Sequence, residues 1–346
     1  MEKIDIKSMV PVELEEYFAK IGERPFRAKQ VFSWIHKGTK SFNEMSNISQ
    51  SLREKLDEQF YISCPELIDK LESRIDGTTK FLWKMYDGSV IESVLMKYDH
   101  GNTVCISSQV GCAMGCSFCA SAIGGLKRNL NASEMIDQVL FSQIISGLNI
   151  SNVVIMGIGE PLDNFDNFIR FLELINHPEA MNIGARRISV STCGIIEKID
   201  KLAQYGIQLT LSVSLHAPDD ETRSKLMPVN RKYGVDSLLA ACSRYFKQTG
   251  RRVSFEYSMI DGVNDSAAHA ELLANKLKNS GSHVNVIPLS DVAERNLKGS
   301  SMSTIKTFVN ILTQRGINAT IRRSLGRDIT ASCGQLRAKY LTAPES

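Results

Sequence analysis

Apolar residues recur every three or four positions near the start of the chain and every second position further on. Leu14, Tyr17, Phe18 and Ile21 share one helical face, and Gly22 separates them from a second apolar set at Phe26 and positions 31–35. Leu52, Leu56 and Phe60 mark a third helix, so residues 11–60 read as a small helical unit. Between 80 and 96 the period falls to two (Phe81, Trp83, Met85, then Val90, Val94, Met96), and Asp87-Gly88 supplies the turn of a β-hairpin.

From about residue 103 short apolar runs alternate with helical stretches. Runs at 103–108, 152–157, 187–191, 208–214, 252–259, 283–287 and 318–323 are interleaved with helices near 132–147, 165–175, 195–204, 236–248, 266–279 and 302–314. Repeated strand–helix units imply a parallel sheet, because a parallel crossover needs an element to return the chain. Six or seven such units make an α/β fold, an open or partial (β/α)6-type barrel carrying a small N-terminal helical domain. Its chemistry is expected at the C-terminal ends of the strands. The division expected is 1–75 for the helical accessory domain, 76–100 for a hairpin linker and 101–340 for the core.

The 346 residues suit two domains, and 43% hydrophobic with 23% charged residues is ordinary globular composition. No run approaches the roughly 18 apolar residues of a membrane span, and the N-terminal Met-Glu-Lys-Ile-Asp-Ile lacks a signal pattern. A cytoplasmic, monomeric protein with no membrane partner is expected. A net charge of +3 is too small to argue for nucleic acid, so any RNA role rests on local patches. Candidates are Arg24, Arg27, Lys29, Lys37 and Lys40 in the helical unit, and Lys127-Arg128, Arg186-Arg187, Arg251-Arg252 and Arg322-Arg323 with Arg327 in the core. Each taken singly reads as a solvated pair before it reads as an RNA contact.

Eight cysteines carry more information. Cys112, Cys116 and Cys119 lie within eight positions, a spacing at which three thiolates can surround one inorganic centre. Soft donors restrict that centre to zinc or an iron–sulfur cluster. Structural zinc needs a fourth protein ligand, and no second Cys-x-x-Cys or His-x-x-x-His supplies it. Three ligands on a [4Fe–4S] cluster leave one iron open to a small molecule, and Phe118 would shield such a cluster from water. Gly157-Ile158-Gly159-Glu160-Pro161 follows the second core strand. By composition alone Cys105 and Cys333 would be small buried hydrophobes, Glu92 a surface carboxylate and His216 a satisfied histidine. Cys64, Cys193 and Cys242 read as core or incidental.

The three-cysteine motif followed by this glycine-rich strand end resembles the radical S-adenosylmethionine enzymes. The segments Ser107-Ser108-Gln109-Val110-Gly111-Cys112, Arg186 to Thr192, Ser214-Leu215-His216-Ala217, Met227-Pro228-Val229-Asn230, Gly250 to Val253, Gly262 to Asp265 and Asp328 to Leu336 resemble one branch. That branch is the RlmN/Cfr family of adenine methyltransferases, whose helical N-terminal domain is similar to the part of this chain around Pro25 to Gln30. The resemblance spans nearly the whole chain. It implies that Cys112, Cys116 and Cys119 hold a [4Fe–4S] cluster. It also implies that Gly159, Glu160, Ser191, Ser214, Leu215, His216 and Ser290 meet S-adenosylmethionine, two molecules of which are used per turnover. Cys333 would carry a methyl group on sulfur, Cys105 would be the second catalytic cysteine, and Glu92, on the hairpin, would handle a proton.

By the same resemblance, carbon 2 of an adenine in 23S rRNA is the target, and tRNA is a second substrate. A flavodoxin or ferredoxin would supply electrons. Carbon 2 offers no useful lone pair to a sulfonium methyl, whereas a carbon radical adds to it. The family route draws that radical from the methyl on Cys333 and ends with a transient Cys105–Cys333 disulfide. Methylation of carbon 8 instead is one alternative, and a non-catalytic iron–sulfur or zinc RNA-binding protein is another. The family's asparagine after Ile287-Pro288-Leu289 is replaced by Ser290, followed by Asp291, so cofactor affinity or substrate choice is expected to differ there.

Overall fold

The computed structural model describes residues 3–290, 292 and 294–336. Asp291 and the last residues of the expected core domain, to 340, lie outside the described residues. The chain opens with β1 (Ile4–Asp5), α1 (Pro11–Lys20), α2 (Pro25–Ile35), α3 (Gln50–Gln59) and β2 (Phe60–Tyr61), with β1 and β2 paired in parallel. Proline at the start of α1 and α2 presets the helical φ where no N–H is needed. Leu14, Phe18, Val31, Phe32, Leu52 and Leu56 are buried together, as the helical periods require.

β3 (Glu66–Glu72), β4 (Thr79–Lys84) and β5 (Val90–Tyr98) form an antiparallel set that continues into β6 (Gly101–Ile106). The hairpin is therefore one end of the main sheet. β3 falls within the stretch expected to be helical; its charged Glu66, Asp69, Lys70 and Glu72 hide any apolar alternation, because it is an exposed edge strand. A short antiparallel pair, β7 (Gln109–Gly111) and β8 (Leu126–Asn129), closes the cysteine loop.

The remaining elements are α4 (Ala132–Ser146), β9 (Ile150–Ile155), α5 (Phe165–Asn176), β10 (Ile188–Thr192), α6 (Ile196–Gln204), β11 (Thr210–Ser214), α7 (Asp220–Leu226), α8 (Val235–Thr249), β12 (Ser254–Met259), α9 (Ala267–Leu277), β13 (His283–Pro288), α10 (Met302–Gln314) and β14 (Asn318–Ile321). The main sheet has the order β14-β13-β12-β11-β10-β9-β6-β5-β4-β3, parallel from β6 to β14. The sheet is open, with β14 and β3 as edges, in agreement with the expected partial barrel. No helix among the described residues is long and apolar enough to cross a membrane.

A buried polar seam docks the helical unit on the core. The Lys7 Nζ lies 2.6 Å from Asp137 Oδ1 on α4 and donates to the Ser63 carbonyl at 2.5 Å, while Ser133 Oγ donates to Asp5. Arg170 on α5 grips Glu13 through two N–H bonds. Beside this seam His36 is buried against the Phe32 ring, centroids 4.3 Å apart, with neither ring nitrogen hydrogen-bonded. Burial, with Lys7 next, pushes its pKa down to about 3 from 6.5. The unfolded chain then takes up a proton that the folded chain refuses, so stability present above pH 6.5 is lost as pH falls toward 3. Between pH 7 and 5 this one group is expected to remove about 2 kcal/mol. Denaturant melts of His36→Leu should show a flatter acid limb by that amount; an unchanged limb would contradict the assignment.

Candidate active site

The cysteine loop is stapled before its side chains are considered. Cys112 N–H donates to the Gly125 carbonyl at 3.1 Å and Ser117 N–H to the Leu226 carbonyl at 2.9 Å. Gly111 permits the first closure, with φ +76° and the Gly125 carbonyl 2.0 Å from where a Cβ would sit. Cys112, Cys116 and Cys119 all line one cavity at the C-terminal ends of β9 to β13. Phe118, Leu226, Met227 and Ile260 form an apolar shell around the loop. The expected shield, Phe118, is buried and meets the His216 ring edge-on at 4.8 Å.

Burial pushes the Cys112 thiol up to about 12 and Cys116 further still. Such thiols are held as thiolates by a cation, which is what a metal cluster provides. The donor set therefore fits a cluster: three soft sulfurs in an apolar shell, Cys112 buried and Cys116 and Cys119 partly so, facing a cleft. Among the described residues no three His, Cys, Asp or Glu side chains converge on a single ion.

The glycine segment packs against the strand end that launches the cysteine loop. A Cβ on Gly157 would sit 2.7 Å from the Ile106 carbonyl oxygen. One on Gly159, whose φ is +107°, would sit 2.6 Å from Gln109 Cβ. Glu160 is buried, with its own N–H on Gln109 Oε1 at 2.8 Å. Its carboxylate accepts from Cys193 N–H at 2.7 Å and Leu162 N–H at 3.0 Å, so it ties this segment to the end of β10. Burial raises its pKa, and these hydrogen bonds oppose the shift.

Ser191 and Ser214, at the ends of β10 and β11, bring their hydroxyls within 3.4 Å of each other. His216 takes φ +58° and accepts the Ser258 N–H on Nδ1 at 2.9 Å. Burial drops its pKa to about 3, so the ring is neutral with its proton on Nε2. Gly159, Glu160, Ser191, Ser214 and His216 line the same cavity as the cysteines. Leu215 does not: its side chain is fully buried in the core, leaving only its backbone near the site. Ser290 is also absent from the lining.

The segment after β14 closes the cavity. Ala120 N–H donates to the Gly334 carbonyl and Ser121 Oγ to the Leu336 carbonyl, both at 2.8 Å, so these bonds pin the C-terminal turn to the residues following Cys119. Cys333 thereby enters the lining. Cys105 on β6 lies just behind, in a small apolar cluster with Val94, Ile158, Ala331 and Leu336. Burial pushes Cys105 up to about 12, with Cys333 the next contribution. All eight cysteines are free. Glu92, on β5, is buried with Lys80 Nζ 3.5 Å away and is not among the residues that line the cavity.

Several residues were not legible as functional. Cys193, expected to be incidental, lines the cavity, and its backbone holds both Glu160 and Arg223. Glu256 lines the cavity too, accepting from Asn285 Nδ2 at 3.2 Å and facing Arg322 at 3.5 Å. Arg322 turns inward, so it is not part of an exposed basic pair; Arg128 is bound by Asp87 and Glu134, and Arg251 by the Leu209 carbonyl. Basic pairs read as surface because charge says nothing about acceptors brought in from distant strands.

An open parallel sheet with a three-thiol loop and a glycine cradle at its strand ends defines a radical S-adenosylmethionine enzyme, and the radical SAM superfamily model matches residues 106–273. The model of the ribosomal RNA large subunit methyltransferase N-terminal domain matches residues 4–62. A probable dual-specificity RNA methyltransferase RlmN from Lachnoclostridium phytofermentans is 52% identical, over 98% of this chain and 96% of that protein. Its counterpart from Alkaliphilus metalliredigens is 49% identical over 100% and 98%. A crystal structure of a radical SAM methyltransferase from Sphaerobacter thermophilus superposes with a TM-score of 0.92 at 44% identity, covering 96% of this chain and 99% of that one. The chain belongs to the RlmN family of radical SAM RNA methyltransferases, enzymes that use a [4Fe–4S] cluster and S-adenosylmethionine. Family membership removes the non-catalytic binding reading.

Proposed function

We propose that this enzyme methylates carbon 2 of an adenine in 23S rRNA and in tRNA, by way of a methyl group carried on Cys333. The observation that carries the reading is the seating of Cys333 in the cavity of Cys112, Cys116 and Cys119, pinned there by the Gly334 and Leu336 carbonyls. The dual-specificity name of its relatives supports two RNA substrates. Residues 1–75 would grip the RNA, and the target base would leave its stack to reach the cavity.

When bound, the cluster and S-adenosylmethionine supply a methyl group and a hydrogen-abstracting carbon radical. The protein's residues do the rest. Cys112, Cys116 and Cys119 would hold the cluster, while Gly159, Glu160, Ser191, Ser214 and His216 shape the cofactor's berth. Cys333 receives the methyl on Sγ and presents its carbon to the ring. Addition of that carbon as a radical leaves an unpaired electron on the purine, which would pass to the one-electron acceptor that the cluster supplies; Glu92 accepts the proton from the ring carbon, and the electron pair of that C–H bond restores the aromatic ring. The Cys105 thiolate attacks Cys333 Sγ, forming an S–S bond as the S–C bond breaks; the electron pair of that bond goes to the carbon on the purine, which takes up a proton to become the methyl group as the base leaves. Because Cys105 is held as a thiol by burial, this attack requires its proton to be removed first.

Anaerobic reconstitution with iron and sulfide, then reaction with reductant, S-adenosylmethionine and either 23S rRNA or tRNA, tests the proposal by mass spectrometry of digested RNA. 2-Methyladenine from both RNAs is expected. 8-Methyladenine as the main product would overturn the regiochemistry, and methylation of only one RNA would overturn the dual specificity.

A further inference from the structure

The buried charge pair at Lys80 is unaccounted for by the cavity lining. Lys80 and Glu92 face each other diagonally across β4 and β5, since Lys80 is in register with Val94 and Leu82 with Glu92. Their side chains are 6% and 4% exposed, and the Nζ lies 3.5 Å from Glu92 Oε1. The same Nζ donates to Thr330, 3.2 Å from its Oγ1 and 3.4 Å from its carbonyl oxygen. One ammonium therefore bonds Thr330 twice and faces the Glu92 carboxylate as an ion pair, joining two separate segments.

Thr330 belongs to the turn that leads into Cys333. Two residues of this turn sit in the left-handed region, Gly326 at φ +64° and Thr330 at φ +49°. The turn between β3 and β4 clamps it: Ser73 Oγ and Arg74 N–H donate to Asp328 at 2.7 and 3.0 Å, and Gly326 N–H donates to Asp76 at 2.9 Å. Bonds of this kind would anchor the turn by themselves. A buried ammonium is a costly addition, and a buried ion pair seldom earns its place by stability alone. The arrangement makes sense where the two acceptors must stand in a set relation.

We propose that Lys80 is a positioning residue that holds the Glu92 carboxylate and the Cys333-bearing turn together, so that proton acceptor and carbon carrier meet at the same ring carbon. The inference rests on the proposed roles of Glu92 and Cys333. It adds a residue to the reaction that touches neither RNA nor cofactor and acts through two others. Losing Lys80 leaves Cys333 able to receive its methyl and attach its carbon to the base, but leaves the ring proton with a misplaced acceptor, so covalent protein–RNA complexes persist.

The test uses the full-length reconstituted enzyme with Lys80→Met, Lys80→Arg, Glu92→Gln, Thr330→Val and the Lys80→Met/Glu92→Gln double variant. Four quantities are read: methyl on the Cys333 peptide, 5′-deoxyadenosine, methylated adenine, and covalent protein–RNA complex on denaturing gels. Lys80→Met is expected to keep the first two within about twofold and lose product by about 10- to 100-fold, as a displaced catalytic group does, with complex accumulating. Lys80→Arg should recover part of the product, and the double variant should be no worse than Glu92→Gln, as for residues acting through one another.

Product at the wild-type level in Lys80→Met, or a multiplicative loss in the double variant, would overturn the proposal. Loss of Cys333 methylation in a folded Lys80→Met protein would also overturn it, by showing a general structural role. If Lys80→Met does not fold, Thr330→Val decides, since it removes one acceptor and keeps the shape; product loss with complex accumulation supports the proposal, and unchanged product overturns it. Wild-type product from Glu92→Gln would instead overturn the reading of Glu92. An impaired Glu92→Gln beside an unimpaired Lys80→Met overturns only the role of Lys80.

Discussion

Cys333→Ala is expected to fold, assemble its cluster and bind S-adenosylmethionine, yet yield no methylated adenine above background, a loss of at least about 1,000-fold. The loss is so large because the substitution removes the carrier of the carbon and leaves no slower version of the same route. A residue that only assisted the transition state would leave a measurable remainder, as members of catalytic groups do when others persist. Folding should be little changed. Cys333 is half-exposed at the cavity wall, its turn is held by the Gly334 and Leu336 carbonyls, and deleting one partly exposed sulfur costs under about 1 kcal/mol. Visible absorbance of the reconstituted cluster and calorimetric S-adenosylmethionine binding serve as controls. Methylated adenine from a well-folded Cys333→Ala protein would show that the methyl reaches RNA without resting on this sulfur.

The second large effect is on stability. Arg223, on α7, is fully buried and uses all five of its N–H donors. They go to the carbonyls of Leu215 (3.1 Å), Tyr233 (3.3 Å), Cys193 (2.7 Å) and Ser214 (3.1 Å), and to Asn230 Oδ1 (2.9 Å). Burial lowers its pKa, and nearby Cys193 and Cys116 act in the opposite direction. The guanidinium is therefore the knot between the ends of β10 and β11, where Cys193 touches Glu160 and where Ser214 and His216 begin the wall of the cavity.

Arg223→Met leaves five buried acceptors without donors, and the expected cost is about 3–5 kcal/mol, a large share of the stability of a typical domain. Arg223→Lys should recover little, because an ammonium cannot fork to acceptors on two strand ends at once. Denaturant melts measure the first effect. Weaker S-adenosylmethionine binding in the variant, at a temperature where it remains folded, measures the second. A loss under 1 kcal/mol would mean that water or rearranged backbone takes the guanidinium's place.

The sequence made the fold class and the cluster motif legible because both are local. A strand–helix alternation announces a parallel sheet from periodicity, and three cysteines at a spacing of four and three need no distant partner to be recognised. Gly157 and Gly159 were visible for the same reason, although only packing explains them: Ile106 and Gln109 occupy the space a side chain would need. The edge strand β3 was invisible because exposure on both faces removes the alternation that marks a strand.

What the chain settled by itself is which chemistry its residues can support: soft thiols for a cluster, a glycine segment for close approach, an open sheet to hold them at strand ends. What only the tertiary structure decided is who stands beside whom. Lys80 meets Thr330 across 250 residues, Ser73 meets Asp328 across 255, and Arg223 looks like any helix-surface arginine until carbonyls from two strands close around it. A buried charge is stable only where acceptors converge on it, and that convergence is set by crossovers and turns far apart in the chain. For that reason Arg322 and Arg128 read as solvated charges in the sequence and stand in the structure as clamps, the first facing Glu256 and the second held by Asp87 and Glu134.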